Sequence, residues 1–167
     1  MDFSEIIGQE HIKSHLTKTV KNGRIPHTQL FIGKAGSGVL PIALSYAKEI
    51  LCHSHAKGSD EYISCKNKID KLAHPDLHFV YPVNTNETIK KNPVSDNFST
   101  EWRKFVLKNP YASLYDWYQF IGIEKKQGNI NKHEAVSISK KLSLKAYEGG
   151  YKLMIIWMAD KMNNECS

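Results

Sequence analysis

The sequence lacks the long apolar runs of a membrane protein and the cysteine pattern of a secreted one. No run approaches the ~18 apolar residues that a membrane span needs, and the opening residues 1–5 have neither the basic nor the apolar region of a signal peptide. The cysteines Cys52, Cys65 and Cys166 form an odd, widely spaced set, which favours free thiols over a disulfide framework. We therefore expect a soluble, cytoplasmic protein.

Charge of one sign is also not concentrated anywhere in the chain. The 167 residues carry a formal net charge of +6, but the lysines and arginines are dispersed, so charge gives only weak support to contact with DNA. A hydrophobic content of 41% is enough for one domain with a sizeable core. No internal repeat or low-complexity segment is present. No Ser lies in the G-x-S-x-G pattern of a nucleophile elbow between a strand and a helix, so hydrolase chemistry has little support.

The apolar pattern alternates between helical and strand periodicity. Its strands are continuous apolar runs, which is typical of a parallel sheet buried on both faces by helices. The sequence therefore predicts an α/β fold in three layers. The predicted elements are helix 9–22, strand 28–32, helix 41–51, strand 76–81, helices from Ser99 and near 114–121, helix 131–142 behind a capping box of Asn131 and Glu134, and strand 152–157.

A glycine loop joins the first predicted strand to the second predicted helix. Its frame is that of the P-loop, G-x-x-x-x-G, in which backbone N–H groups cradle phosphate. A working loop continues with a Lys that reaches the β- and γ-phosphates and a Ser or Thr that holds Mg²⁺. Here those two positions are apolar, and Lys34 at the start of the loop is interpreted as a solvated side chain, so we expect neither ATP binding nor hydrolysis. This degenerate phosphate loop comprises Gly33, Gly36, Ser37, Gly38, Val39 and Leu40.

The second nucleotide-binding element should be a strand that ends in adjacent acidic residues, one for magnesium and one as base. At the end of the predicted strand 152–157, Met158 and Ala159 stand where Asp and Glu belong. Asp160 lies beyond them and is interpreted as a strand-end or capping aspartate rather than a relocated metal ligand. Because both elements have lost their chemistry, no catalytic residue is predicted.

Residues 3–12 and 23–31, followed by the glycine loop, resemble in order and spacing the opening of bacterial clamp-loader subunits of DNA polymerase III. His74-Pro75-Asp76 and Gly149-Gly150-Tyr151-Lys152 are similar to the segments that precede two strands of that family. The resemblance implies a P-loop NTPase-like AAA+ fold. The degenerate loop and strand end match the delta-prime type, a stationary member of the ring, rather than the motor subunits that keep the Lys and Thr.

The resemblance also implies partners and domain limits. The partners would be other clamp-loader subunits, the sliding clamp and primed DNA through the complex, with no membrane contact. Residues 1–167 would be a truncated AAA+ domain without the lid and collar, and 84–127 would be an insertion. The aromatics of that insertion are expected to form a small satellite core, with a partner surface as the alternative.

Family members often carry a four-cysteine zinc module after the P-loop helix. Only two of its cysteines remain here, and the neighbouring histidines lack paired C-x₂-C spacing, so zinc is a weak expectation beside free thiols. Its candidate ligands are Cys52, His53, His55 and Cys65.

Three functions stay open. The first is a non-catalytic subunit of the DNA polymerase III holoenzyme, without ATPase or polymerase activity of its own. The second is an active P-loop ATPase subunit of the gamma/tau kind that uses Lys34 and Asp160. The third is a stand-alone nucleic-acid-binding module, whose affinity would fall steeply with salt.

Overall fold

The computed structural model describes residues 1–148 and 150–164. Short 3₁₀ helices cover Phe3–Glu5, Ser95–Phe98 and Ala159–Lys161. The main elements, in chain order, are α1 (Glu10–Lys21), α2 (Val39–Cys52), α3 (Asp60–Asp70), β1 (Leu77–Val80), α4 (Ser99–Lys108), α5 (Leu114–Phe120), α6 (Lys132–Ser143) and β2 (Leu153–Ile156).

The two strands form a parallel sheet. Leu77 lies opposite Leu153 and Val80 opposite Ile156, and the backbone N–H of Trp157 continues the pairing with a 2.8 Å bond to the carbonyl of Val80. A parallel pair needs a long connection, and α4, α5 and α6 lie in it. The predicted α/β class and the last two predicted strands are confirmed.

The predicted strand over 28–32 is wrong. This stretch is extended but forms no ladder, and the side chains of Leu30 and Ile32 are 77% and 86% exposed. Phe31 points the other way, with its ring centroid 6.3 Å from that of Tyr46. An extended segment becomes a strand only beside a partner strand, and within the described residues none lies next to it.

Helix α3 lies in a stretch that looked merely polar in the sequence. The hydroxyl of Ser59 caps it by accepting from the N–H of Tyr62 at 3.2 Å, and its buried side is only Cys65 and Ile69. Two apolar positions give too little periodicity to predict a helix.

Helix α2 is the centre of the structure and packs against apolar residues on several sides. One cluster joins it to α1 through Leu16, Val20, Ile42, Tyr46 and Ile50. A second joins it to α3 and β1 through Ala47, Leu51, Cys52, Cys65, Ile69 and Leu77. A helix surrounded in this way is almost wholly apolar, which explains the broad apolar face seen in the sequence.

A third and largest cluster is built by the aromatic segment, residues 84–127. It contains Trp102, Phe105, Trp117 and Tyr118, so the prediction that these aromatics form a core is confirmed for them. The expectation of a small satellite is wrong, because Leu40 and Leu44 of α2 and Trp157 after β2 belong to the same cluster. Tyr115 stays 58% exposed.

Of the two hydrogen bonds of the predicted capping box at the start of α6, only the one accepted by Asn131 is present. Asn131 does cap the helix, with its Oδ1 accepting from the N–H of His133 at 2.9 Å. The Glu134 carboxylate does not turn back to Asn131 but accepts from the N–H of Ser95 at 2.6 Å. Glu134 therefore ties α6 to the aromatic segment.

The loop after α6 is fixed by a buried carboxylate at the start of β1. Asp76 is 1% exposed, and its two oxygens accept from the N–H groups of Tyr147 at 2.6 Å and Glu148 at 2.9 Å. His74 Nε2 lies 3.1 Å from the Glu148 carboxylate. The segment 74–76 thus holds the loop that leads into β2.

Within residues 1–148 and 150–164, no helix combines the length and apolar character that a membrane crossing requires.

Candidate nucleotide site

The glycine loop leads from the extended segment 28–32 into α2. Residues 33–37 are exposed, and the N–H of Ser37 donates to the carbonyl of Lys34 at 3.0 Å to close a turn. Gly36 and Gly38 have φ angles of +78° and +86°, a left-handed conformation that glycine adopts without the steric penalty of a Cβ. The glycine frame is therefore needed for the bend itself, with or without a nucleotide.

Side chains of the loop pack onto Gly33 at its start. A Cβ placed on Gly33 would lie 2.5 Å from Val39 Cγ2 and 2.6 Å from Ser37 Oγ, so only glycine fits here. Val39, the residue predicted to stand where a P-loop has lysine, turns its methyl group back over the loop. An apolar contact inside the loop is therefore formed at this position.

The first turn of α2 is apolar and poor in free donors. Leu40 is 6% exposed and belongs to the aromatic cluster with Leu44 and Trp157. Pro41 follows, and since proline has no backbone N–H, one of the donors that a helix N-terminus offers to an anion is lost. Pro41 is also the first residue of the helix predicted from the sequence.

The strand end is equally apolar. Trp157 is 8% exposed, and Met158 packs against the aromatic cluster. Met158 has φ 56° and ψ 55°, the left-handed region that turns the chain directly into the 3₁₀ helix Ala159–Lys161. Asp160 faces solvent, where its carboxylate lies 2.9 Å from Lys161 Nζ at 65% side-chain exposure.

The aromatic cluster joins these two places. The Trp102 ring lies 5.3 Å from Trp157 and 5.3 Å from Trp117, and it stacks on Tyr81 at 4.1 Å between centroids. Trp117 Nε1 donates to the carbonyl of Pro82 at 2.9 Å. The structure therefore brings Leu40 and Met158, both predicted as degenerate site residues, to one apolar cluster, while Asp160 lies outside it.

A buried polar network anchors the aromatic segment to β1 and α6. The Tyr81 hydroxyl donates to the carbonyl of Ser95 at 2.7 Å, and the Ser95 N–H donates to Glu134. Burial raises the pKa of the Tyr81 phenol and that of the Glu134 carboxyl, in the second case against the hydrogen bonds from Ser95. Glu134 Oε1 has no protein partner, so this carboxyl is held in an environment that favours its neutral form.

The candidate zinc ligands do not come together as a metal site. Cys52 at the end of α2 and Cys65 in α3 form a disulfide with their Cα atoms 5.9 Å apart, so the expectation of free thiols is wrong for this pair. Both cysteines are buried where α2 packs on α3. A disulfide has no thiolate to offer zinc, and His53 is exposed. Across the described residues, no three His, Cys, Asp or Glu side chains are grouped to hold a metal ion; Cys166 lies outside them.

Known proteins agree with the resemblance seen in the sequence. Residues 8–167 match the family described as "DNA polymerase III, delta subunit". The chain is similar to the DNA polymerase III subunit delta' of Bacillus subtilis (strain 168), with 37% identity over 76 residues, which are 44% of this chain and 22% of that protein. It is also similar to the DNA polymerase III subunit tau/gamma of Haemophilus influenzae (strain ATCC 51907 / DSM 11121 / KW20 / Rd), with 40% identity over 50 residues, 30% of this chain and 7% of that protein. No solved structure gives a significant match.

Proposed function

Because the chain belongs to the DNA polymerase III delta subunit family and is a clamp-loader subunit of the delta-prime type, we propose that it is a non-catalytic, stator-like member of the clamp loader. In this role it helps to load the sliding clamp on DNA without hydrolysing ATP. The matched part of the chain spans less than a quarter of each relative, so the activity of the whole assembly enters only through this proposal.

The observation that carries the proposal is the shared apolar cluster of Leu40, Trp157 and Met158. Magnesium takes oxygen ligands, and in a P-loop ATPase these come from the start of the helix and the end of the strand. In this chain both positions hold apolar side chains, Leu40 within the aromatic cluster and Met158 packed against it. Phosphoryl transfer depends on positioning and charge stabilisation, and neither metal nor lysine would be held there.

We further infer the P-loop architecture of AAA+ domains, with a parallel sheet flanked by helices in three layers. The parallel β1 and β2, the glycine loop that enters α2 and the central position of α2 support it. The partners that we propose are other clamp-loader subunits, the sliding clamp and primed DNA reached through the complex. A cytoplasmic location follows from this role.

A calorimetric titration of the purified chain with MgATP tests the proposal. We expect no heat of binding, and no phosphate release above buffer when ATP is incubated with the chain. A Kd for MgATP below about 10 μM, which corresponds to a binding free energy of about 7 kcal/mol, would contradict the non-catalytic role and support an active ATPase subunit.

Assembly forms the second half of the test. On size exclusion, the chain mixed with a motor subunit of the same complex should co-elute with it whether ATP is present or not. Tight binding of the chain alone to DNA, lost at high salt, would instead support a stand-alone nucleic-acid-binding module.

A further inference from the structure

The aromatic segment touches the glycine loop at its last glycine. A Cβ placed on Gly38 would lie 3.3 Å from Tyr111 Cε1 and 3.8 Å from Ile6 Cγ2. Gly38 is buried, while residues 33–37 just before it are exposed. The Tyr111 ring, itself 39% exposed, therefore lies beside the loop at the point where it becomes helix α2.

We propose that Tyr111 closes the α2 N-terminus, so that the aromatic segment blocks an anion from the loop independently of the missing lysine. The backbone N–H groups that would receive a phosphate lie at this end of the loop and in the first helical turn. The tyrosine ring lies against Gly38, the residue that precedes this turn. The inference rests on the proposed loss of nucleotide binding and adds a second, separable cause for it.

Tyr111 is held in place from both sides. Its N–H donates to Asn109 Oδ1 at 3.0 Å, directly after α4. On the other side, Ser113 and Asp116 form a reciprocal cap at the start of α5, with the Asp116 carboxylate accepting from the Ser113 N–H at 2.7 Å.

Both helices are in turn fixed to the core. Phe105 of α4 and Trp117 of α5 pack with their ring centroids 5.2 Å apart. The connection that carries Tyr111 is short, running from 109 to 113. The backbone that carries Tyr111 is therefore fixed relative to α4 and α5.

The test restores the lysine and then removes the tyrosine. Three variants of the full chain are compared, namely Val39→Lys, Val39→Lys with Tyr111→Ala, and Val39→Lys with Tyr115→Ala. Tyr115 is the matched control, because it lies on the same segment and is 58% exposed. The probe is ADP without magnesium, since Leu40 offers the metal no ligand.

We expect ADP affinity to be at least tenfold higher for Val39→Lys/Tyr111→Ala than for the other two variants, measured by fluorescence titration with a labelled ADP. Near-ultraviolet circular dichroism and the unfolding midpoint of each variant show that the tryptophan cluster is intact. Tight ADP binding by Val39→Lys with Tyr111 in place would overturn the inference. Equally weak ADP binding by all three folded variants would overturn it too, because Tyr111 would then not be what prevents ADP from binding.

These outcomes are distinct from failure of the proposed function. That proposal concerns the unmodified chain, and it is removed by MgATP binding, ATP hydrolysis or tight DNA binding of the unmodified chain, none of which the three variants measure. Binding by Val39→Lys alone would leave the chain non-catalytic and remove only the role of Tyr111.

Discussion

The glycine loop and the strand end after β2, where we propose that the residues of nucleotide chemistry are absent, differ in their surroundings. Residues 33–37 of the loop are exposed and keep a glycine backbone that the turn itself requires. Trp157 and Met158 at the strand end are packed into the aromatic cluster. Of the two loop positions where a P-loop carries Lys and Ser or Thr, Val39 is only half-buried, whereas Leu40 belongs to the same core cluster as the strand end.

This difference separates two kinds of loss. A half-buried side chain such as that of Val39 can be exchanged at little energetic cost. A side chain in the aromatic cluster cannot be replaced by a polar or acidic one without burying a polar group or opening a cavity. Substitutions at Val39 and in the cluster should therefore have very different effects on stability.

Trp102→Ala should have the largest effect. The ring contacts Tyr81, Trp117 and Trp157 and is 1% exposed, so its removal should lower the free energy of unfolding by about 3–5 kcal/mol. Urea denaturation followed by circular dichroism measures this. As control, Tyr115→Ala on the same segment should change stability by less than about 0.5 kcal/mol. Equal losses in the two variants would mean that the cluster is not the core described here.

Leu40→Thr and Val39→Lys compare neighbouring positions directly. Leu40 is buried in the cluster, so the threonine should lower stability by about 2–3 kcal/mol through lost packing and a buried hydroxyl. Val39 is only half-buried, and a lysine there should lower stability by about 1 kcal/mol at most, mainly because a cation at a helix N-terminus opposes the helix dipole. Thermal unfolding of both variants gives the ranking, and the reverse order would refute the assignment of Leu40 to the core.

Glu134→Gln should have the smallest effect, and one that depends on pH. Burial raises the folded-state pKa of this carboxyl. Its favourable contribution to the free energy of unfolding is therefore fully present below the unfolded-state pKa and is lost as pH rises through the folded-state pKa. Glutamine keeps an acceptor for Ser95 without a charge. The variant should gain up to about 1 kcal/mol at pH 7 and lose that pH dependence. Chemical denaturation at a series of pH values measures it.

Glu124→Gln is the control for this titration, because Glu124 is exposed. Its stability should follow that of the unmodified chain at every pH. If Glu134→Gln destabilises the protein at pH 7, the carboxyl is ionised and better satisfied than its surroundings suggest.

The elements with strong local signals were predictable from the sequence. Helix α2 has a continuous apolar pattern, β2 is a compact apolar run, and Asn131 caps α6 as expected. Helix α3 was missed because its contact with α2 uses only two side chains. The strand over 28–32 was predicted from an apolar run whose outward residues in fact face solvent.

The contacts of the site were harder to predict than its residues. The glycine frame and the strand end are enough to predict Val39, Leu40 and Met158 as candidate site residues. The sequence does not predict that Leu40 and Met158 join the aromatic cluster, that Tyr111 approaches Gly38 or that Cys52 pairs with Cys65. These contacts depend on the tertiary path of residues 84–127 and of α3. Local periodicity carries no information on such long-range contacts.

The two hydrogen bonds to Asp76 also limit the conformational entropy that the loop after α6 can still lose on association. The loop after α6 displays Tyr147 with its side chain 83% exposed, while the backbone of Tyr147 and Glu148 is already fixed by a carboxylate below it. Ordering a mobile loop on association lowers affinity, since freedom is lost at that moment. Here that freedom is given up when the chain folds, and a contact made by the Tyr147 ring would begin from an ordered backbone.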